Sequence, residues 1–244
     1  MENIFNVAKK TMAFTLAETL IVIGVIGIVS ALTLPNLNSS TGDKEKVAKV
    51  KKIYQNITDA FGRAEAVYGP YEEWFVNDTS PDAKAKRMGE RISEFMKVSK
   101  NCGSGEGSTT GCFTSGNSHS MNGNASKIWD SANYYRIITA DGSSVANNAS
   151  AIIVDIDGPT KGKYTLGHDL FVFCYNADKK TIIPDGDNKT FAELASDSLG
   201  EGAYMASWII KYDNADYLKI QSVSGSTVTC KNGNTMTETN PTCK

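Results

Sequence analysis

Hydrophobic positions along the chain change their rhythm several times. From Phe14 to Leu34 they are almost continuous, "FTLAETLIVIGVIGIVSALTL", and as a helix this stretch would be about 32 Å long. From Asp43 the pattern opens up. Val47, Val50, Tyr54, Ile57, Phe61, Ala64 and Tyr68 fall at alternating steps of three and four, one face of an amphipathic helix, with charges on the other face. Asp43 can cap its start, and Gly69-Pro70 stops it. A second helix is predicted from Asp82 to about Lys100, with Met88, Ile92, Phe95 and Met96 inward. The stretch 101–126, dominated by Gly, Ser, Thr and Asn, reads as a long loop. After it, "YYRIITA", "SAIIVDI", "DLFVFCYN", "KTIIPDG", "YLKIQSV" and "STVTC" are short β-rich runs, and "LGEGAYMASWIIKYD" adds a short helix. The pattern as a whole predicts one α+β domain with an antiparallel sheet behind an apolar N-terminal segment.

Composition narrows the function. The 244 residues carry a formal charge of −2, so the chain has no electrostatic footprint for nucleic acid. Only two histidines, His119 and His168, are present, which leaves few candidates for His-based catalysis or metal binding. The five cysteines, Cys102, Cys112, Cys174, Cys230 and Cys243, all follow the apolar segment, and none forms a Cys-x-x-Cys pattern. That usage fits an exported, oxidised domain. Two disulfides drawn from five cysteines allow fifteen arrangements, among which the sequence does not select. Cys102 with Cys112 and Cys230 with Cys243 are favoured because each pair brackets a short polar stretch. Cys174 reads as a buried strand thiol.

The apolar segment is long enough to span a bilayer. Lys9 and Lys10 precede it, which would keep the N-terminus cytoplasmic and send the remainder outward. A secretory signal peptide should end in small residues, and "SALTLPNL" offers a poor version. A plain anchor gives no reason for Glu18, since an acid at the centre of a membrane helix costs about 2 to 3 kcal/mol. Gly24 and Gly27 leave one side of the helix small enough for close packing. Pro35 removes a helix hydrogen bond, so a kink or melted stretch is expected from Pro35 to Gly42.

These residues carry a resemblance. The run "AFTLAETLIVIGVIGIVSALTLP" resembles the N-terminal processing motif of type IV pilins and of the pseudopilins of type II secretion. In that family a basic leader is cut after a small residue, usually Gly, and before Phe; the new amine is methylated, and Glu is the fifth mature residue. The resemblance places the cut between Ala13 and Phe14, with N-methylation of Phe14, Glu18 as the assembly residue and Pro35 as the helix kink. Ala13 departs from the usual Gly but is still small. The match covers about a tenth of the chain, and its basic leader, junction, acid and proline agree in one register. It implies a pilin-like lollipop, α+β, whose long N-terminal helix has a membrane half and an amphipathic half packed on the sheet of a globular domain. The implied divisions are 1–13 leader, 14–35 transmembrane and filament-core helix, 36–42 linker, and 43–244 globular domain. Family members also often close a C-terminal surface loop with a disulfide, a place for "TCKNGNTMTETNPTCK".

The implied function is a structural subunit, not an enzyme, of a type IV pilus or type II secretion filament. Its implied partners are a prepilin peptidase and methylase, identical or related subunits, and an inner-membrane assembly platform. Before assembly the chain would lie in the bacterial inner membrane as a single-pass protein with its globular domain periplasmic. No cofactor is required. Asp155, Asp157 and Asp169 nevertheless surround a turn in "VDIDGPTKGKYTLGHDLFVF" and could supply oxygens to calcium, as a loop of comparable character does in some pseudopilins. The spacing is not that of an EF-hand, and turn-forming aspartates are the plainer reading. Two rivals are a membrane-anchored periplasmic binding domain and an exported enzyme with a cleft near His168 and Asp155.

Overall fold

The computed structural model describes residues 16–105, 111–113, 118–126 and 133–243, with backbone alone over 29–40. Contacts divide the chain into two units, Met1–Gly42 and Asp43–Lys244.

Helix α1 is assigned over Leu16–Tyr68. Helix α2, Pro81–Ser93, precedes strands β1 (Val98–Gly103), β2 (Ser118–His119), β3 (Ala125–Ser126), β4 (Tyr135–Thr139), β5 (Ser144–Asn147), β6 (Ala151–Asp155), β7 (Leu170–Asn176) and β8 (Thr181–Pro184). Helices α3 (Phe191–Asp197) and α4 (Met205–Tyr212) follow, then β9 (Ile220–Ser224), β10 (Thr227–Cys230) and β11 (Thr235–Met236). The main sheet runs β1-β4-β5-β6-β7-β8, and every pair in it is antiparallel. A smaller antiparallel sheet runs β11-β10-β9, and β2 pairs with β3.

In the second unit the stripe of α1 is what the core is built on. Val47, Val50, Ile53, Ile57, Ala60, Phe61 and Ala64 are all buried, in one cluster with Ile137, Val145, Ile152, Val154, Phe171 and Phe173 of the sheet. Tyr54 stacks on Phe173 with ring centroids 5.4 Å apart, and Phe61 meets Tyr71, Trp74 and Tyr175. The helix ends at Tyr68 because Gly69 turns the chain at φ 81° and Pro70 follows. Asp43 does not begin the helix; it lies within α1.

The opposite sheet face is covered as well. Ala146, Ile153, Leu170 and Val172 form a second buried cluster with Cys112, Phe113 and Leu166. Burial on both faces explains why "AIIVD" and "LFVFC" show no clean polar alternation. The two disulfides join Cys102–Cys112 and Cys230–Cys243, and Cys174 is a free, half-buried thiol.

Two sequence expectations are corrected here. The lollipop fold, with one long N-terminal helix half in the membrane and half on the sheet, is not what the structure contains. Side chains of α1 are described over 16–28 and from 41 onward, and only the latter part joins the core. No helix among the described residues is long and apolar enough to cross a membrane, so the expected single-pass placement in the inner membrane is corrected too. Pro35 lies among the residues whose side chains are not described, and its expected kink falls there.

Smaller differences have local causes. Helix α2 ends at Ser93, short of Lys100, because residues from Val98 onward pair with β4. Its start is set by Ser80, whose side chain accepts from the Ala83 N–H at 3.1 Å, with Pro81 in the first turn. Gly89 of α2 faces Tyr135 so closely that an added Cβ would lie 2.0 Å from a ring carbon. The expected loop 101–126 contains the end of β1 and the β2–β3 hairpin. Gly89→Ala should therefore destabilise the protein despite alanine's better helix propensity. The expected loss is about 2 kcal/mol, with Tm lower by roughly 4–8 °C; thermal unfolding followed by circular dichroism would measure it, and an unchanged Tm would refute the close packing.

Candidate functional site

Two regions hold the residues singled out by sequence. At the N-terminus, Ala13 and Phe14 lie outside the described residues. Glu18 is exposed near the start of the described part of α1. Around it Leu16, Leu20, Ile21, Val22, Ile23, Val25, Ile26 and Ile28 are all more than half exposed. They cover every side of the helix, and no Cβ added at Gly24 or Gly27 would meet a neighbouring atom within 4 Å. Large aliphatic side chains exposed in a contiguous patch mark a surface that something covers.

The second region is the turn from β6 to β7. Asp155, the last residue of β6, is paired with Leu170, the first of β7, and the Ile156 N–H donates to the Asp169 carbonyl at 3.0 Å. The Asp155 side chain is fully buried. Its Oδ1 accepts the N–H groups of Asp157 at 3.0 Å and Gly158 at 3.1 Å, which folds the chain back after the strand. Its Oδ2 is buried with no hydrogen-bond partner. Asp169, also buried, accepts the Lys163 N–H. Gly162 passes so close that a Cβ there would lie 2.6 Å from the Asp169 carboxylate. Asp157 faces α1 instead, with Lys49 Nζ 3.0 Å from its Oδ1; the same Lys49 meets Glu45 at 3.1 Å.

Burial sets the protonation of this cluster. Desolvation pushes Asp155 up to about 7; its two backbone hydrogen bonds oppose the shift, and the charges of Asp169 and Asp157 add to it. Desolvation also raises Asp169, against the N–H groups it accepts. Lys46 of α1 is lowered by burial. His168 is lowered to about 4, by burial first and then by Lys46 and Lys163, and so is neutral at physiological pH.

The three aspartates proposed as calcium donors thus come together around one turn, and their hydrogen bonds and ion pairs go to other groups of the protein, with Asp155 Oδ2 left unpaired. Asp155 and Asp169 hold their own loop, and Asp157 holds α1. Among the described residues no group of three or more His, Cys, Asp or Glu side chains is arranged to hold a metal ion. Sequence reasoning missed Lys46 and Lys49 as partners of this turn, because their place on the charged face of α1 says nothing of what lies opposite.

No protein-family profile matches the chain, and no curated protein or solved structure does. The family resemblance therefore rests on the N-terminal motif.

The raised Asp155 gives a signed expectation. Its native value near 7 lies above the value of about 3.9 in an unfolded chain. The protonated acid is thus favoured by the folded state: its contribution is present in full below about pH 4 and is lost as pH rises through 7. The loss is on the order of 4 kcal/mol. Asp155→Asn keeps the Oδ1 acceptor and removes the titration. Its stability relative to the native chain should rise between pH 4 and pH 8 in urea unfolding, and a constant difference would refute the assignment.

Proposed function

We propose that this chain is a structural subunit of a filament of the type IV pilin or type II secretion pseudopilin kind, assembled through its N-terminal helix after removal of the leader. The observation that carries the reading is the apolar surface of 16–28, exposed on all sides next to Glu18. Burying four such side chains is worth about 6–12 kcal/mol in transfer terms. Parallel helices of neighbouring copies would supply that cover.

Glu18 then has a role in register. Cleavage after Ala13 would create a cationic amine at Phe14, four residues before the acid. Two unit charges about 4 Å apart gain roughly 4 kcal/mol at an effective dielectric near 20, comparable to the cost of desolvating them. Such a pair adds little net attraction. It does penalise a subunit that enters out of register and leaves one charge buried alone. The disulfides support an oxidising compartment for the second unit.

Mass spectrometry of the mature N-terminus is the test. N-methyl-Phe14 is the expected first residue, whereas an intact leader, or a cut near Ala31, would overturn the reading. Glu18→Ala should be processed normally yet yield at least tenfold less filament by electron microscopy and pelleting; native yield from that variant would remove the register role.

A further inference from the structure

Beside α1 the second unit has an open cleft of about 460 Å³, away from the turn aspartates. Its walls are the outer face of α1, the link between α2 and β1, and the turn between β4 and β5. Phe95 and Met96 give it a half-buried apolar floor. Lys52 and Arg63 lie on the α1 side, each already paired, Lys52 with Asp141 at 2.8 Å and Arg63 with Asp59 at 3.2 Å. Lys97 is exposed at the lip and has no ion pair among the described residues. An occupant that suits this cleft therefore presents an apolar side chain with a carboxylate close by.

The same unit displays that combination. After α3, Leu199 is 42% exposed, and Glu201, two residues on, is exposed with no ion pair among the described residues. The turn that carries them is held firmly. Gly200 and Gly202 donate to the Asp197 carbonyl at 2.9 and 3.0 Å, while Met121 and Asn122 of the β2–β3 hairpin donate to the carbonyls of Glu201 and Gly200 at 3.0 and 2.9 Å. A rigid turn loses little entropy on docking.

Cleft and turn are different patches of the unit, the turn being held by the β2–β3 hairpin. The cleft adjoins β1 and β4, and α3 packs with α4, which lies on β7 and β8. A contact between two different patches of one unit is heterologous, and its repetition extends an assembly as an open filament or a ring instead of a closed two-fold dimer.

We propose that the cleft receives the Leu199–Glu201 turn of a second copy of this chain, Leu199 on Phe95 and Met96 and Glu201 against Lys97. The contact rests on the filament reading above and adds to it a second, head-to-tail link between globular units. Sedimentation velocity of the full-length protein over a concentration series tests it, beside filament yield. Lys97→Glu and Glu201→Lys should each raise the concentration needed for self-association about five- to tenfold, and the double variant should return it close to native. Unchanged thermal unfolding of the three variants would separate a lost contact from a lost fold. Single variants that associate like the native chain, a double variant no better than the singles, or a native chain that stays monomeric would each overturn the contact. The two readings fail separately: a processed, Glu18-dependent filament indifferent to Lys97 and Glu201 overturns the contact alone, whereas an unprocessed N-terminus overturns the filament.

Discussion

The second unit depends on one contact, the apolar stripe of α1 from Val47 to Ala64 laid against the inner face of the main sheet. That stripe shares one buried cluster with side chains of β4, β5, β6, β7 and β8. The contact is local in sequence on one side and spread from Ile137 to Ile182 on the other. Ion pairs at its rim, Lys49 with Asp157, Lys51 with Asp213 and Lys52 with Asp141, run from the charged flanks of α1 to turns at the ends of strands or helices. Each is exposed enough to contribute little to stability. What they add is a preference for one rotation of the helix over its neighbours.

The same docking shapes the chemistry of the β6–β7 turn. Asp155, Asp169 and Lys46 are all desolvated by burial where this turn meets α1 through Lys49 and Asp157. Carboxylates that would be ordinary turn residues on a bare hairpin become groups whose protonation is linked to folding. The N-terminal part of α1 stands in contrast. It carries the same helical backbone but has no such partner among the described residues, and its aliphatic side chains are exposed. One helix thus contains a stretch packed within its own unit and a stretch whose aliphatic side chains are exposed.

Much of the second unit is legible in its amino acids. The runs rich in Ile, Val, Phe and Tyr from Tyr135 to Pro184 are strands, and the two favoured cysteine pairs are the disulfides present. Other elements leave weaker traces. Strand β5, "SVAN", is short and half polar, and it is fixed by pairing with β4 and β6 more than by its own propensity. Helix α3 carries a signal that went unread, the capping box of Thr190 and Glu193, in which each side chain accepts the other's backbone N–H. The length of α2 was overestimated because helical periodicity continues through Phe95 and Met96, and nothing local reveals that β4 claims Val98 for the sheet.

By itself the sequence determined the periodic stripe of α1 and the β-rich runs, and it carries the resemblance around Ala13, Phe14 and Glu18, because each depends on side chains close together along the chain. Tertiary structure alone decided where those pieces end and what faces them. It ended α2 at Ser93, covered both faces of the sheet, and turned the oxygens of Asp155 and Asp169 inward onto their own loop while giving Asp157 to Lys49. It also divided α1 into a packed part and an exposed part. The reason is physical: periodicity specifies that a face is apolar, but burial, desolvation and the direction of a hydrogen bond depend on atoms contributed from distant parts of the chain.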